Sequence, residues 1–327
     1  MEFLSVMQDN LVTPAILFFV LGILAGWSKS DLEIPKSISR YLSIYLMMAI
    51  GFKGGVAIAD APHLTMAMLW VMVFAVVIGA GLPLIGYGLL RRTTQLSAAT
   101  AAAVAAHYGS ISIVTFVTAV AFLKTQQLSY EGYIVAVAAL KEAPAILVGL
   151  WLAHRAAPAT REYHTEEKRL AREIFTNGAI LLLLGSLLIG WMTGDEGMEK
   201  MHGFLITPFH GILALFLLDM GILVSRNLRN LRHFTLPLIA FAIYMPLIGA
   251  TIGLGAALWI GLDTGTACLF MVLCASASYI AVPAAMKLAL PEADPSVYIP
   301  MALGLTFPFN VLLGIPLYEA VARAVIG

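Results

Sequence analysis

The sequence predicts an all-α, multi-pass membrane protein with ten transmembrane helices, arranged as two inverted repeats of five. Hydrophobic residues form 60% of the 327-residue chain and charged residues 12%, against roughly 45–50% and about 25% in soluble domains. Apolar stretches near or above the roughly 18 residues that cross a bilayer recur along the whole chain. An internal repeat with an offset of 164 to 166 residues divides these stretches into two halves.

The repeat is clearest in its first helix. Pro14–Trp27 reads PAILFFVLGILAGW, and Gly178–Trp191, 164 residues later, reads GAILLLLGSLLIGW. Three further matches have nearly the same offset: Ser110 and Ser112 with Ser276 and Ser278, Tyr133-Ile134 with Tyr298-Ile299, and Pro144 with Pro308. A duplicated half with small polar residues in its most apolar segments is typical of transporters whose substrate site lies where the two halves meet.

Hydrophobic windows place the ten spans at about residues 11–28, 38–58, 64–90, 97–123, 130–154, 173–193, 203–225, 233–260, 264–290 and 296–325. Residues 1–154 therefore form the first repeat, residues 155–172 a charged linker, and residues 173–327 the second repeat. Because each repeat crosses the membrane an odd number of times, the second repeat enters from the opposite side, and the two are inverted.

Basic residues predict the orientation. The loops that follow spans 1, 3, 5, 7 and 9 hold fourteen Lys and Arg residues, and the opposite face holds four. This bias places linker 155–172 in the cytoplasm and both termini outside. The segment MEFLSVMQDN lacks the basic start and the small-residue cleavage site of a signal peptide, so the first hydrophobic stretch is predicted to be retained.

The net charge, the cysteines and the histidines indicate no further function. The chain has 19 basic and 19 acidic residues, and this balance argues neither for nor against a nucleic-acid or anionic-lipid partner. No nucleic-acid partner is predicted. Cys268 and Cys274 lie in one apolar segment and are interpreted as packing residues. His107, His202 and His210 have no second ligand at metal spacing.

Two repeat-related segments are the candidate substrate site. Span 4 contains HYGSISIVT (residues 107–115), and span 9 contains CASASYIAVP (residues 274–283). Glycine, serine and proline weaken a helix in mid-membrane, and the freed N–H groups of a half-helix attract an anion, whereas unwound carbonyls suit sodium. The predicted substrate-binding residues are Gly109, Ser110, Ser112, Thr115, Ser276, Ala277, Ser278 and Tyr279. Close helix packing is the alternative role for these small residues.

A sodium site is predicted beside it. Glu142 lies within span 5, where a carboxylate costs roughly 2.5–3.5 kcal/mol and therefore normally faces a cation or a cavity. Thr306 and Asn310, at the matching position of span 10, would supply neutral oxygens, together with Ser112 and Ser278. Neutralisation of Glu142 by Lys141 is less favoured, since neighbours on a helix do not face one another. Lys53 and Asp219, two further charges within spans, are interpreted as an ion pair at a helix interface or as transport residues.

Five motifs together resemble one known family: the two Ser-x-Ser pairs, KEAPAI (141–146), SASYIAVPAAM (276–286), PEADPS (291–296) and TFPFN (306–310). The chain is similar to the sodium-dependent bicarbonate permeases over essentially its whole length. The resemblance implies a symporter of the inner (plasma) membrane, with a gate of spans 1, 2, 6 and 7 and a core of spans 3–5 and 8–10. It also implies a homotrimer surrounded by lipid and, in some members, a PII-like regulatory partner.

The same resemblance implies roles for single residues. Ser112 and Thr115 match hydroxyl positions of the family's first broken helix, and Ser276 and Ser278 match those of the second. Glu142 stands where the family has a sodium-site aspartate, and Lys141 stands where it has an apolar residue. The function that follows is sodium-coupled uptake of bicarbonate by alternating access, without enzymatic activity.

Three other functions stay open at this point. The same fold serves symport of another small anion such as a carboxylate. An intramembrane enzyme would need a base for its serine, and no histidine stands at readable spacing. A passive channel is disfavoured by inverted repeats with broken helices.

The predicted orientation is tested by cysteine labelling. In a background with Cys268 and Cys274 replaced by alanine, Glu2→Cys and Gly327→Cys should react with an impermeant maleimide on intact cells, since both termini are placed outside. Tyr163→Cys, in the linker, is the matched control and should react only after permeabilisation. The opposite pattern would reverse the orientation.

Overall fold

The computed structural model describes residues 13–59, 65–156, 178–228, 234–279 and 292–327, together with residues 282–283, 286 and 290. Within these ranges the regular structure is entirely helical, with no strand. This confirms the all-α class that the composition and the apolar stretches predicted.

Eleven helices follow one another in the described part of the chain. They are α1 (Pro14–Trp27), α2 (Lys36–Ala59), α3 (Met66–Thr93), α4 (Ala98–Gly109), α5 (Ile113–Thr125), α6 (Ile134–Ala156), α7 (Gly178–Met201), α8 (Phe209–Leu228), α9 (Leu236–Ile260), α10 (Thr264–Ala275) and α11 (Pro295–Ile326). A π-helical turn at His202–Ile206 separates α7 from α8. Helix α11 includes two more π-helical turns, Pro300–Thr306 and Asn310–Gly314.

Six helical segments are long and apolar enough to cross a membrane: α2, α3, α4 with α5, most of α8, α9 and α11. Of the other four predicted spans, span 5 is occupied by α6, and spans 1, 6 and 9 each include residues that the structure does not describe. The predicted end of span 6 at residue 193 coincides with a real interruption, because Gly194 in α7 has φ 51° and ψ −145°. Glycine adopts a positive φ at little cost, so the chain turns here before its charged segment.

The two short helices α4 and α10 are built alike. Each has 12 residues, and their first residues are 166 apart. Ser97 and Asp263 cap their N-termini by accepting hydrogen bonds from Thr100 N and Thr266 N. Each ends at a serine in extended conformation, Ser110 or Ser276, where helical hydrogen bonding stops. The sequence repeat is therefore expressed as the same cap, the same length and the same break.

Helices α1, α2, α7 and α8 pack chiefly on one another. The closest pairs are α1 with α8 and α2 with α7, and both crossings use glycine to bring backbones together. A Cβ at Gly22 would clash with the Leu218 carbonyl oxygen of α8, and one at Gly55 with the Leu187 carbonyl oxygen of α7. Membrane helices approach this closely only through small residues.

The remaining helices pack around α4 and α10. Helix α4 lies between α3 and α6, whereas α10 packs on α9 and α11, and α3 contacts α9. Cys268 and Cys274 are buried in α10 as free thiols, in agreement with the packing role expected for them.

The predicted ion pair between Lys53 and Asp219 is wrong. The Lys53 ammonium stands 4.7 Å from the centre of the Phe209 ring, at the start of α8. Asp219 is buried in α8, and its Oδ2 has no hydrogen-bond partner. Phe209 and Asp219 are about 15 Å apart along the helix axis, given a rise of about 1.5 Å per residue. The two charges therefore lie at different depths of the α2–α8 interface.

Candidate functional site

The breaks that follow α4 and α10 lie against each other. Ser112 N donates to Ser276 Oγ over 3.1 Å, and Ser278 N donates to the His107 carbonyl oxygen over 2.9 Å. Both extended segments, residues 110–112 and 276–278, are buried. Two backbone N–H groups without a helical acceptor are thus satisfied by the other break, and this reciprocal pairing fixes where the two chains cross.

The hydroxyls of three predicted site serines hold this backbone geometry. Ser112 Oγ accepts from Thr115 N over 3.2 Å and so caps the N-terminus of α5. Ser278 Oγ accepts from Val282 N over 3.4 Å. Ser276 Oγ donates to the Leu273 carbonyl oxygen over 3.2 Å. Ser112 and Ser278 each keep a hydroxyl proton for a further bond.

Four other polar atoms around the crossing are buried without a hydrogen-bond partner. They are Ser110 Oγ, Thr115 Oγ1, the Tyr279 hydroxyl and His107 Nε2. In the whole described part of the chain only two more side-chain atoms share this condition. The Tyr279 hydroxyl approaches Ser112 without the geometry of a hydrogen bond. An unsatisfied buried polar group costs about 1–3 kcal/mol, so four such groups on residues 107–115 and 279 make the two breaks the candidate site for a polar ligand.

Close backbone packing supports the breaks from behind. Gly109 ends α4 against the Pro83 ring of α3, where a Cβ would clash with the ring carbons. Gly249 of α9 lies on the Cys274 carbonyl in the last turn of α10, where a Cβ would also clash. Pro83 and Gly249 are 166 residues apart, so the repeat extends to these supports. Gly109, predicted to bind substrate, contributes close packing and a carbonyl oxygen.

Thr306 and Asn310 lie beside the breaks with their oxygens already in use. Asn310 Nδ2 donates to the Ala275 carbonyl oxygen over 2.9 Å, and Asn310 Oδ1 accepts from the Tyr318 hydroxyl over 2.8 Å. Thr306 Oγ1 donates to the Ala242 carbonyl oxygen over 2.8 Å and lies 2.6 Å from the Tyr108 hydroxyl. Each oxygen retains lone-pair capacity.

The structure describes the side chain of Lys141 but only the backbone of Glu142. The Glu142 backbone lies in α6, and its side chain falls outside the described residues. Lys141 is fully buried, and its Nζ donates to the Gly109 carbonyl oxygen over 2.5 Å and to the Ser110 carbonyl oxygen over 3.3 Å. From the sequence, Lys141 was expected only as a possible counter-charge for Glu142 or as a replacement for an apolar residue of the family. Its position at the first break has no signal in the sequence, since these partners are 31 and 32 residues away.

The crossing presents both electrostatic polarities. The N-terminus of α5 begins at Ile113, and the N–H groups of a first helical turn carry a partial positive charge that favours anions. The C-terminal ends of α4 and α10 present carbonyl oxygens, which favour cations. An anion and a cation can therefore bind within a few residues of each other.

The fold is that of a polytopic helical membrane protein, with six described segments long and apolar enough to cross a membrane. The family model described as the Na+-dependent bicarbonate transporter superfamily matches residues 14–323. The chain belongs to that superfamily, as the motif resemblance predicted. A comparison with curated protein sequences found no match.

The unpartnered hydroxyls generate a prediction. Thr115→Val and Tyr279→Phe each remove a buried hydroxyl that has no protein partner, so folding should be retained. If these groups bind an anion, each variant should raise the apparent substrate Km about tenfold to a hundredfold, because a hydrogen bond to a charged group is worth about 1.5–3 kcal/mol.

Thr118→Val is the matched control. Thr118 is equally buried in α5, and its Oγ1 donates to the Val114 carbonyl oxygen over 2.8 Å, so its loss should leave Km unchanged. Saturation kinetics of uptake decide the question. Unchanged Km in both Thr115→Val and Tyr279→Phe would mean that the ligand binds elsewhere.

Proposed function

We propose that the chain is a secondary active transporter that couples uptake of a small anion, bicarbonate, to sodium. The observation that carries the proposal is the group of unpartnered buried polar atoms where two helix breaks cross. Membership of the Na+-dependent bicarbonate transporter superfamily supports both ions. Bicarbonate is small, planar and singly charged, and it can accept from hydroxyl and N–H groups while donating one bond of its own.

In this proposal the anion binds between the breaks. The Thr115 and Ser110 hydroxyls, both unpartnered, would donate to its oxygens, and the N-terminus of α5 supplies the favourable partial charge. Tyr279 would contact it from the second break. Gly109, Ser112, Ser276, Ala277 and Ser278 complete the substrate site by shaping its backbone.

Sodium binds beside the anion. Glu142 supplies the carboxylate, while Thr306, Asn310, Ser112 and Ser278 supply neutral oxygens. Support comes from the position of Asn310, whose Nδ2 donates to the last carbonyl of α10 and whose Oδ1 retains a free lone pair. Coupling follows because each bound ion lowers the electrostatic cost of burying the other.

The moving parts are two units of a ten-span inverted repeat. The gate unit consists of α1, α2, α7 and α8, and the core unit of α3–α6 with α9–α11. The helices of each unit pack chiefly on one another, which suits movement of each unit as one body. The ring of Phe19 in α1 packs on that of Phe307, with 5.5 Å between the ring centres. The Phe307 ring in turn packs on that of Tyr279, with 5.3 Å between the centres. This aromatic chain connects the gate unit to the substrate site and would sense its occupancy.

The proposal includes cellular context. The protein would lie in the plasma (inner) membrane, with linker 155–172 in the cytoplasm and both termini outside. Exposed apolar side chains along α3, including Leu69, Val73 and Val77, supply a surface for lipid or for the neighbouring subunits of a trimer. A PII-like regulatory partner would bind on the cytoplasmic side.

Uptake into proteoliposomes tests the function. Labelled bicarbonate should accumulate under an inward sodium gradient at alkaline pH and should not accumulate when choline replaces sodium. Unlabelled bicarbonate should drive counterflow, which a channel or an enzyme cannot support. Sodium-dependent uptake of acetate in preference to bicarbonate would change the substrate, and uptake indifferent to sodium would overturn the proposal.

Glu142→Gln tests the sodium site. Loss of the carboxylate at constant size should lower sodium-dependent uptake at least tenfold, because a charged sodium ligand contributes more than the roughly 1.4 kcal/mol that equals a tenfold effect. Purified yield and thermal unfolding should match the wild type. Wild-type sodium activation in the variant would remove Glu142 from the site.

A further inference from the structure

One charged group lies at the candidate site without a role in the proposed transport. Lys141 is fully buried in α6. Its Nζ donates to two carbonyl oxygens, those of Gly109 and Ser110, at the point where α4 ends. The ammonium is therefore placed at the C-terminal end of the half-helix α4.

This is a position where a membrane transporter places a bound cation. A broken helix leaves carbonyl oxygens without N–H partners, and the helix dipole gives its C-terminal end a partial negative charge. A sodium ion at such an end is held by the unwound carbonyls. The ammonium group carries the same unit charge and satisfies the oxygens with three N–H donors.

The lysine stem is fixed in place. Gly79 of α3 faces it so closely that an added Cβ would stand 2.9 Å from the Lys141 carbonyl oxygen and 3.1 Å from Lys141 Cγ. One turn further along α3, Pro83 packs directly against Gly109 at the end of α4. Helix α3 closes this side of the lysine stem, and the ammonium is covalently attached to α6, so it stays with the protein where a transported ion would leave.

We propose that the Lys141 ammonium is a tethered cation that permanently occupies a sodium position at the α4–α5 break. The transport cycle then binds one sodium ion fewer than the two broken helices would hold without it, and part of the charge that balances the anion belongs to the protein. This inference rests on the proposed function, because it assigns the cation stoichiometry of the same site.

Removal of the side chain vacates the position, and sodium should then enter it. The test uses reconstituted protein and measures labelled sodium and labelled bicarbonate fluxes together. In Lys141→Ala the sodium-to-bicarbonate flux ratio should exceed the wild-type ratio by one, and the sodium dependence should have a higher Hill coefficient. Lys141→Gln is the second variant, since it is shorter, neutral and carries an oxygen that can ligate sodium, and it has the same expected ratio.

Two controls separate a cation role from a packing role. Lys141→Met retains the bulk of the stem without the charge, so it should lose uptake at every sodium concentration. Lys53→Ala removes another intramembrane ammonium, which stands over Phe209, and should leave the flux ratio unchanged. A wild-type flux ratio in both Lys141→Ala and Lys141→Gln would overturn the inference.

Thermal unfolding gives a readout that does not require transport. Sodium in place of choline should raise the Tm of Lys141→Ala more than that of the wild type, because only the variant has the vacated position to fill. Equal sodium shifts in the two proteins would contradict the tethered cation. Absence of sodium-dependent uptake in the wild type, with the larger shift present in Lys141→Ala, would instead reject the proposed function alone.

Discussion

The reciprocal pairing of the two helix breaks is the constraint on which the rest of the structure depends. Ser112 N donates to Ser276 Oγ, and Ser278 N donates to the His107 carbonyl oxygen. Inside a membrane a freed backbone group has no water to bind, so an interrupted helix is tolerated only where protein supplies partners. Each break supplies a hydrogen-bond acceptor for a freed backbone N–H group of the other. Separation of the two would expose unsatisfied groups on both, which explains why they occur together and deep in the molecule.

Because of this pairing, some polar groups at the crossing hold the backbone in place, and others remain available for a ligand. The hydroxyls of Ser112, Ser276 and Ser278 each make a hydrogen bond to the backbone, whereas those of Ser110, Thr115 and Tyr279 make none. A pairing that satisfied every group would give a stable helix crossing with nothing to bind. The unsatisfied remainder is the part that the proposed ion would complete, and the half-helix ends give it both signs of partial charge.

The sequence predicted the helical class, the two breaks and their symmetry because a repeat offset near 165 residues carries small residues to matching positions. Residue roles within the breaks were less predictable. Local spacing shows a serine three residues before Thr115 but does not distinguish an N-cap from a ligand. Chain order suggests only the neighbour Glu142 as a partner for Lys141. The observed hydrogen-bond acceptors of Lys141 are carbonyl oxygens at the end of α4. The predicted Lys53–Asp219 ion pair was wrong because hydropathy does not show at which position along α8 Lys53 packs.

A structure of the protein in lipid nanodiscs, determined by cryo-electron microscopy with and without sodium bicarbonate, tests the central claim most directly. The account predicts ligand density between the two breaks, in contact with Thr115 Oγ1 and Ser110 Oγ, that is absent when chloride replaces bicarbonate. Anion density elsewhere, with the crossing unchanged in a transport-active preparation, would contradict it.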